Sequence, residues 1–364
     1  MPRIDAFLKI MRETGASDLH IGDGYSPILR MHGALEPAKH RVLSAEEVKI
    51  LFHEMLSDAQ IKELEEAGEI DIVYTVPDVA RFRINIYKKH VGLGAAFRII
   101  PNKIPTLDGL GFPESFKKVL AQKSGLVLVT GPTNSGKTTT LAAMVDHLNE
   151  HMDHHIITLE DPLEFIHPNK NCLINQRQIG HHSRSFAKAL RAALREDPNV
   201  VLVGEMRDTE TISLALTAAE TGLLVLGTLH TKSAAQTVNR IVDVFPANQQ
   251  DQVRMALSEV IVGVCSQQLV KRADGTGRIA ALEIMIRTPA IGNLIREGKT
   301  QQINTALVTG RQLGMQKLEH HLRELVSQKI ITPEEAALHA ENPQDFLIGK
   351  KDGPQEKPSP ARTL

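Results

Sequence analysis

The stretch GLVLVTGPTNSGKTTTLAAM, residues 125–144, decides the fold of this chain. Its apolar start predicts a buried strand, its middle a loop and its end a helix. Residues 131–138 match the pattern G-x-x-x-x-G-K-[ST] of a phosphate-binding P-loop, and the flanking strand and helix argue against a chance match. In such a loop glycines permit a tight turn and backbone N–H groups surround phosphate oxygens. The stretch therefore predicts a nucleotide-binding α/β domain.

The same loop supplies the candidate binding residues. Lys137 is expected to place its charge at the β and γ phosphates of ATP, and the hydroxyl of Thr138 is expected to ligate Mg²⁺. The predicted nucleotide contacts are Gly131, Pro132, Thr133, Asn134, Ser135, Gly136, Lys137, Thr138 and Thr139.

The sequence pattern divides the chain into five parts. Residues 1–100 predict a small α+β domain, because IDIVYTV and RFRINIY alternate with period two after two amphipathic helices. Residues 101–113 are rich in Pro and Gly and predict a linker. Residues 114–287 alternate apolar strands with helices, which is typical of a parallel sheet. Residues 288–348 predict a helical subdomain, and the polar, Pro-rich residues 349–364 a disordered tail.

The composition limits the functions that the chain can have. The formal net charge is −1 and the pI is near 7.0, so no global charge draws the chain to nucleic acid or anionic lipid. No apolar stretch approaches ~20 residues, so the sequence predicts no transmembrane helix. The two cysteines, Cys172 and Cys265, are far apart and favour a reducing, cytoplasmic setting.

Acidic and histidine side chains follow several predicted strands. Glu205 ends the run NVVLVGE, where it could polarise the attacking water or hold Mg²⁺ through water; a solvated, idle carboxylate is the equal alternative. Glu160, Asp161 and Glu164 follow the strand HIITL. Glu160 and Glu164 are predicted, with Thr138, at the metal, and an Asp-Pro turn with solvated charges is the alternative. His230 ends VLGTLH, either as a sensor of the γ phosphate or as a structural histidine.

Arginines are the main polar feature of the first 100 residues. In RFRINIY the alternation places Arg81 and Arg83 on the face opposite Phe82, and in GAAFRII Arg98 lies opposite Phe97. These arginines either cover a solvated strand face or reach the phosphates of ATP, where a true arginine finger increases the rate by ~10³ to 10⁵.

Four motifs in order make the chain recognisable. GPTNSGKTTT, ITLEDPLEFIH, ALREDPNVVLVGEMRD and AAETGLLVLGTLHT resemble the Walker A, Asp box, atypical Walker B and His box of the secretion ATPase superfamily. Within it the chain resembles the retraction ATPases of type IV pili (PilT type), also in SDLHI, RFRINIY and GMQKLEHHL. The resemblance covers roughly residues 4–347.

The resemblance implies an α/β chain with a PAS-like N-terminal domain and a RecA-like P-loop ATPase domain that has a helical C-terminal extension. It implies a homohexamer at the cytoplasmic face of the inner membrane that meets a platform protein, works beside a paralogous pilus ATPase and touches the membrane only through the platform. The cofactors implied are ATP and Mg²⁺. In the implied site Glu205 is the catalytic glutamate, Glu164 assists it, and His230 is the second His-box histidine. Arg81, Arg83 and Arg98 are the arginines implied to reach ATP.

Three functions agree with these motifs. A motor that retracts type IV pili is favoured over an assembly or secretion ATPase. Those ATPases usually carry an additional N-terminal domain and a four-cysteine zinc module, whereas this sequence has no CxxC pair. An accessory ATPase of low turnover beside a paralogous motor is the second function. A RecA-like DNA translocase is the third, and the neutral charge argues against it.

Two positions depart from the family pattern. Leu223 replaces the histidine of a Thr-Gly-His sequence, and Gly292 replaces the first arginine of Ala-Ile-Arg-Asn-Leu-Ile-Arg-Glu. We expect Leu223 on the edge that faces nucleotide or the next subunit, and Gly292 in a helix. Together the departures predict an active ATPase whose mechanical output is weaker than that of a paralogue with both family residues, or depends on such a paralogue.

Overall fold

The computed structural model describes residues 2–31, 34–100 and 103–347, which gather into two units. One unit comprises the residues up to Ile104 together with Glu164–Ile166, and the other comprises Pro105–Leu163 and the residues from His167 onward. The predicted tail, residue 348 of the predicted helical subdomain and the first two residues of the predicted linker lie outside the described residues. Within the part that the structure describes, every helix is too short or too polar to cross a bilayer.

The first unit is an antiparallel sheet with three helices. The strands are arranged in the order β3-β2-β1-β6-β5-β4. The elements are α1 Ile4–Thr14, β1 Asp18–Gly22, β2 Ile28–Met31, β3 Ala34–Pro37, α2 Ala45–His53, α3 Asp58–Ala67, β4 Glu69–Val76, β5 Ala80–Lys88 and β6 Leu93–Ile100.

Strand β5 explains why this sheet has two different faces. Phe82, Ile84 and Ile86 are fully buried and form one core with the apolar residues of α1, α2 and α3. Arg81 and Arg83 alternate with them and are only half-buried. The period-two pattern therefore predicted both the strand and its polar face correctly.

The second unit contains the P-loop, and its elements follow the predicted alternation of strands and helices. Its strands are β7 Gly125–Thr130, β8 His155–Glu160, β9 Leu173–Gln178, β10 Val200–Val203, β11 Leu224–Leu229, β12 Ile261–Lys271 and β13 Arg278–Ile286. Its helices are α4 Glu114–Leu120, α5 Lys137–His151, α6 Phe186–Ala193, α7 Thr209–Glu220, α8 Ala234–Asp243, α9 Gln250–Val260, α10 Pro289–Arg296, α11 Ile303–Thr309, α12 Leu318–Ser327, α13 Pro333–His339 and α14 Gln344–Leu347.

The strands of this unit form one sheet in the order β13-β12-β7-β11-β10-β8-β9. Neighbouring strands are parallel except β12 and β13, which are antiparallel. Every residue of β7, β10 and β11 is buried, because helices cover both faces of a parallel sheet and its strands are therefore apolar throughout. The predicted α/β class is confirmed.

The sequence pattern did not predict β1, β2 and β3 of the first unit or three strands of the second. Strand β9 is polar, LINQRQ, and gives no apolar signal. Polar residues interrupt the apolar runs of the other two strands: Ser266 and Gln267 in β12, and Glu283 in β13. The extension itself is present: Leu318 and Leu322 of α12 and Ile331 form a small core with Val270 and Ala281 of β12 and β13.

Candidate functional site

The P-loop lies between β7 and α5, where the sequence predicted it. Gly131 and Gly136 have φ values of 148° and 88°, which L side chains rarely adopt, and Asn134 has a φ of 62°. A Cβ atom at Gly131 would lie 2.3 Å from the carbonyl oxygen of Gln267 and 2.6 Å from Ser135 Oγ. Only glycine therefore fits at Gly131, and the turn exposes the backbone N–H groups at the start of α5.

Lys137 begins α5 and turns back over the loop. Its Nζ donates hydrogen bonds to the carbonyl oxygens of Gly131 at 2.9 Å and Pro132 at 3.0 Å. Burial lowers the pKa of Lys137, and the charge of Glu205 opposes that shift. The ammonium group is thus held at the mouth of the loop, in the field of the carboxylate that was predicted to be catalytic.

A polar side chain of β12 supports the loop from behind. Gln267 Nε2 donates to the carbonyl oxygen of Ser135, and Thr140 Oγ1 donates to Gln267 Oε1 at 2.8 Å. Ser135 Oγ is buried without a hydrogen-bond partner among the described residues. An unpaired hydroxyl inside a phosphate loop fits a phosphate ligand, since a buried polar group without a partner is costly. Gln267 was missed, and its only signal was a polar residue in an apolar strand.

Glu205 and His230 meet at the carboxyl edge of the sheet. Strands β10 and β11 are parallel neighbours, so the residues that follow them share one edge. His230 Nε2 lies 3.0 Å from Glu205 Oε1, and Arg207 Nε contacts the same oxygen. The sequence predicted Glu205 and His230 for this edge and missed Arg207, although Arg207 lies only two positions after Glu205.

The glycine before Glu205 is required by close packing. A Cβ atom at Gly204 would lie 3.0 Å from the carbonyl oxygen of Leu159 and 3.3 Å from Glu160 Cα. The N–H of Gly204 donates to that carbonyl at 2.7 Å. This contact places Glu160 beside Glu205 at the same edge.

The predicted metal ligands are placed as follows. Glu160 is 8% exposed, and its Oε1 accepts hydrogen bonds from Thr158 Oγ1 at 2.7 Å and Gln176 Nε2 at 3.4 Å. Thr138 occupies the first turn of α5, beside Lys137. Among the described residues no group of three or more His, Cys, Asp or Glu side chains is arranged to hold a metal ion. A Mg²⁺ ion would therefore depend on the phosphates and on Thr138 for much of its coordination.

The other predicted site residues belong to the first unit. Arg83 and Arg98 stand directly opposite each other on β5 and β6. Arg98 Nε donates to Asp18 Oδ1 at 2.8 Å, and Arg83 Nε lies 3.9 Å from Asp71 Oδ1. Arg81 lies on the same face, opposite Ile100, which places the three arginines on one surface.

Glu164 lies in the loop after β8 and is half-buried. The segment Glu164–Ile166 belongs to the first unit, whereas Leu163 and His167, which flank it, belong to the second.

Leu223, the first departure from the family pattern, lies away from the P-loop. The carbonyl of Leu223 accepts the N–H of Gly125 at 3.0 Å, and Gly125 begins β7 whereas the P-loop follows its end. A strand of this length separates the two edges by about 16 Å. The expectation that Leu223 faces nucleotide is therefore wrong for the chain's own P-loop, and its side chain packs against the apolar core.

Gly292 lies in α10, as predicted, and is buried. A Cβ atom there would lie 3.2 Å from the carbonyl oxygen of Ser258 in α9 and 3.7 Å from Nε of Arg287. The glycine thus permits close approach of α9 and α10 under the guanidinium of Arg287.

Comparison with known proteins gives close matches over nearly the whole chain. The family model described as Type II/IV secretion system protein matches residues 1–350. The chain is 51% identical over 343 residues to the type IV pilus retraction ATPase PilT of Pseudomonas aeruginosa, which covers 94% of this chain and 99% of that protein. It is 51% identical over 321 residues to a twitching motility protein of Neisseria gonorrhoeae, covering 88% of this chain and 86% of that protein.

A solved structure has the same fold. The crystal structure of the pilus retraction motor PilT with bound ADP superposes with a TM-score of 0.85 at 43% sequence identity. The superposition covers 93% of this chain and 98% of that one.

Proposed function

The chain belongs to the family of type II/IV secretion system proteins, and from this premise we propose that it is an ATPase motor that retracts type IV pili. One observation carries the proposal: the P-loop lysine and the Glu205–His230 pair occupy the same edge of one sheet, with Glu205 acting on the pKa of Lys137. The relatives described as a retraction ATPase and a twitching motility protein support the direction of the motor.

The P-loop binds the phosphates of ATP. Lys137 Nζ exchanges the carbonyl oxygens of Gly131 and Pro132 for β and γ phosphate oxygens, and the N–H groups at the start of α5 donate to the same phosphates. The Ser135 hydroxyl gains a partner there. Thr138 would hold Mg²⁺, which supplies positive charge to the phosphates when bound.

Glu205 activates the water that attacks the γ phosphate. Its carboxylate accepts a proton from that water, and His230 and Arg207 fix the orientation of the carboxylate through Oε1. His230, at 3.0 Å from Glu205, senses through this contact whether the γ phosphate is present. Glu160, the last residue of β8, and Glu164, in the loop that follows, would hold the metal or its water ligands.

The active assembly is a homohexamer, in which Arg81, Arg83 and Arg98 of the first unit stabilise charge on the ATP phosphates. The ring acts at the cytoplasmic face of the inner membrane on a platform protein, and a paralogous ATPase shares the work. The similarity to PilT, which is 51% identical to this chain over 94% of its length, supports these assignments.

The proposal is tested in a strain that lacks the gene for this chain. We expect twitching to stop and surface pili to accumulate, because pili are assembled but not withdrawn. Wild-type protein and the control Lys188→Ala, which alters an exposed lysine of α6, should restore twitching, whereas Lys137→Ala should not. Normal twitching in the deletion strain would remove the retraction function. Restoration by Lys137→Ala would favour an accessory role without turnover.

A further inference from the structure

A row of polar side chains crosses the sheet beneath α8. Thr130, Ser266 and Glu283 stand opposite one another on β7, β12 and β13. The hydroxyl oxygens of Thr130 and Ser266 lie 2.8 Å apart, so one donates to the other. Glu283 is 4% exposed, and its strand β13 is separated from the P-loop strand β7 by β12.

The carboxylate of Glu283 holds the start of α8. Its Oε1 accepts the N–H of Ala234, the first residue of α8, at 2.8 Å. The N–H groups of a first helical turn have no partner within the helix and carry partial positive charge, so an ionised carboxylate is favoured there. Only three residues separate Ala234 from His230. The first turn of α8 therefore fixes the end of the short segment that begins at His230.

Threonines connect the same turn to the P-loop. Thr237 Oγ1 donates to the carbonyl oxygen of Ser233 at 2.8 Å and lies 2.7 Å from Thr231 Oγ1. It also lies 3.4 Å from the hydroxyl oxygen of Thr130, the residue immediately before Gly131. A shift of α8 would thus displace both His230 and Thr130, which lie on two sides of the nucleotide site.

The helical extension is hydrogen-bonded to β13 on both sides of Glu283. Gln316 and Ile284 exchange backbone hydrogen bonds of 2.8 and 2.9 Å, and Gln316 Nε2 donates to the carbonyl oxygen of Leu282 at 2.9 Å. The N–H of Leu282 donates to Nδ1 of His321 at 2.9 Å. The two neighbours of Glu283 in the strand are therefore bonded to the segment that leads into α12.

Charges from that extension act on Glu283. Burial raises the pKa of Glu283 to about 7, and the N–H at the start of α8 opposes this. Glu319 and Glu341 raise the same pKa, whereas Lys317 lowers it. On β12 burial raises the pKa of the Cys265 thiol, so Cys265 stays neutral. The first turn of α8 carries no titratable side chain.

We propose that Glu283 is a positioning residue for ATP hydrolysis, whose carboxylate fixes the first turn of α8 and thereby the place of His230 beside Glu205. The helical extension acts on the nucleotide site through the same carboxylate. This inference rests on the proposed ATPase function and names a residue and a route within that site.

The test is the pH dependence of kcat in the assembled full-length protein. Glu283→Gln keeps an acceptor for the Ala234 N–H but cannot ionise, so it imitates the protonated form. We expect its kcat to match wild type at pH 6 and to fall about 3- to 10-fold below it at pH 8, with the affinity for ADP unchanged. Glu283→Ala should be slow at both pH values. The matched control is Glu335→Gln, because Glu335 Oε1 also accepts a backbone N–H, that of Lys271 at 2.8 Å, on the far side of the extension.

A second variant moves the expected pH step without touching Glu283. Glu319→Gln removes a negative charge that raises the pKa of Glu283. In chains that carry Glu319→Gln, the loss of kcat caused by Glu283→Gln should therefore appear at lower pH. If the ratio of kcat between Glu283→Gln and wild type is the same at pH 6 and pH 8, the inference is contradicted, even if Glu283→Ala fails to fold. A wild-type chain that hydrolyses no ATP would overturn the proposed function first; equal kcat values beside an active wild type overturn only the role of Glu283.

Discussion

At the scale of single residues, the site depends on where the short turns after β10 and β11 place the carboxylate of Glu205 and its neighbour His230. The N–H of Gly204 donates to the Leu159 carbonyl oxygen at 2.7 Å, and a Cβ atom at Gly204 would lie only 3.0 Å from that oxygen. The next residue is Glu205, whose Oε1 lies 3.0 Å from Nε2 of His230. Glu205 keeps 18% of its side chain exposed, so water can approach it. A carboxylate held by two cationic or polar neighbours and open to water is suited to orient a nucleophile for phosphoryl transfer.

Removing the charge of Glu205 should separate binding from turnover. We expect Glu205→Gln to bind ATP like wild type, because the P-loop is unchanged, and to lose turnover by ~10² or more, because the general base is gone. Steady-state hydrolysis and nucleotide titration measure the two effects. Glu210→Gln is the control, since Glu210 is an exposed carboxylate of α7 that pairs with Arg191 at 2.8 Å. Turnover close to wild type in Glu205→Gln would take Glu205 out of the mechanism.

At the scale of elements, helix packing explains one departure from the family pattern. Helices α9 and α10 approach closely because Gly292 has no side chain, and the guanidinium of Arg287 lies beside it. Glycine in a helix interior costs about 1 kcal/mol relative to alanine. The sequence alone therefore suggested a weakened helix, but the structure gives the glycine a packing role and keeps a cation next to it.

This packing predicts that the family arginine cannot simply be restored. Gly292→Arg places a Cβ atom 3.2 Å from the Ser258 carbonyl and a second guanidinium beside Arg287, so we expect the free energy of unfolding to fall by about 1 kcal/mol. Gly292→Ala tests the Cβ contact without the charge, and the double variant Arg287→Met, Gly292→Arg should recover part of the loss. Denaturant titration measures all three. Twitching that improves with Gly292→Arg alone would instead support a weakened output caused by the missing arginine.

At the scale of the whole molecule, the predicted site residues are divided between two units. Lys137, Glu205 and His230 belong to the P-loop unit, and Arg83 and Arg98 belong to the antiparallel sheet of the other. Arg98 is 61% exposed in its side chain despite its bond to Asp18, so it remains accessible to an anion. The proposed function assigns these arginines to the ATP phosphates in the assembled ring.

The arginine assignment predicts a loss of rate without a loss of structure. We expect Arg81→Ala, Arg83→Ala and Arg98→Ala each to lower kcat of the assembled protein by at least ~10-fold, because positive charge at the transferred phosphoryl group is removed. Their melting temperatures should stay near wild type. Arg30→Ala is the matched control, since Arg30 stands opposite Asp18 on the same sheet. If Arg30→Ala slows hydrolysis as much as the other three, the effect is electrostatic and unspecific, and the assignment fails.

The sequence by itself determined the P-loop, the alternation of strands and helices around it, and the edge to which Glu205 and His230 belong. These features are local or follow from the period of apolar residues and from the shared edge of parallel strands, so a single sequence carries them. The two faces of β5 were determined in the same way.

Only the tertiary structure decided which distant residues touch. Gln267 holds the P-loop from 132 positions away, and Glu283 accepts a hydrogen bond 49 positions away, through strands that the sequence pattern did not reveal. In the tertiary structure Leu223 lies at the amino edge of the sheet, and the guanidinium of Arg287 lies beside Gly292. Such contacts depend on strand order and register, which are set by packing of the whole sheet rather than by the residues next to them in the chain.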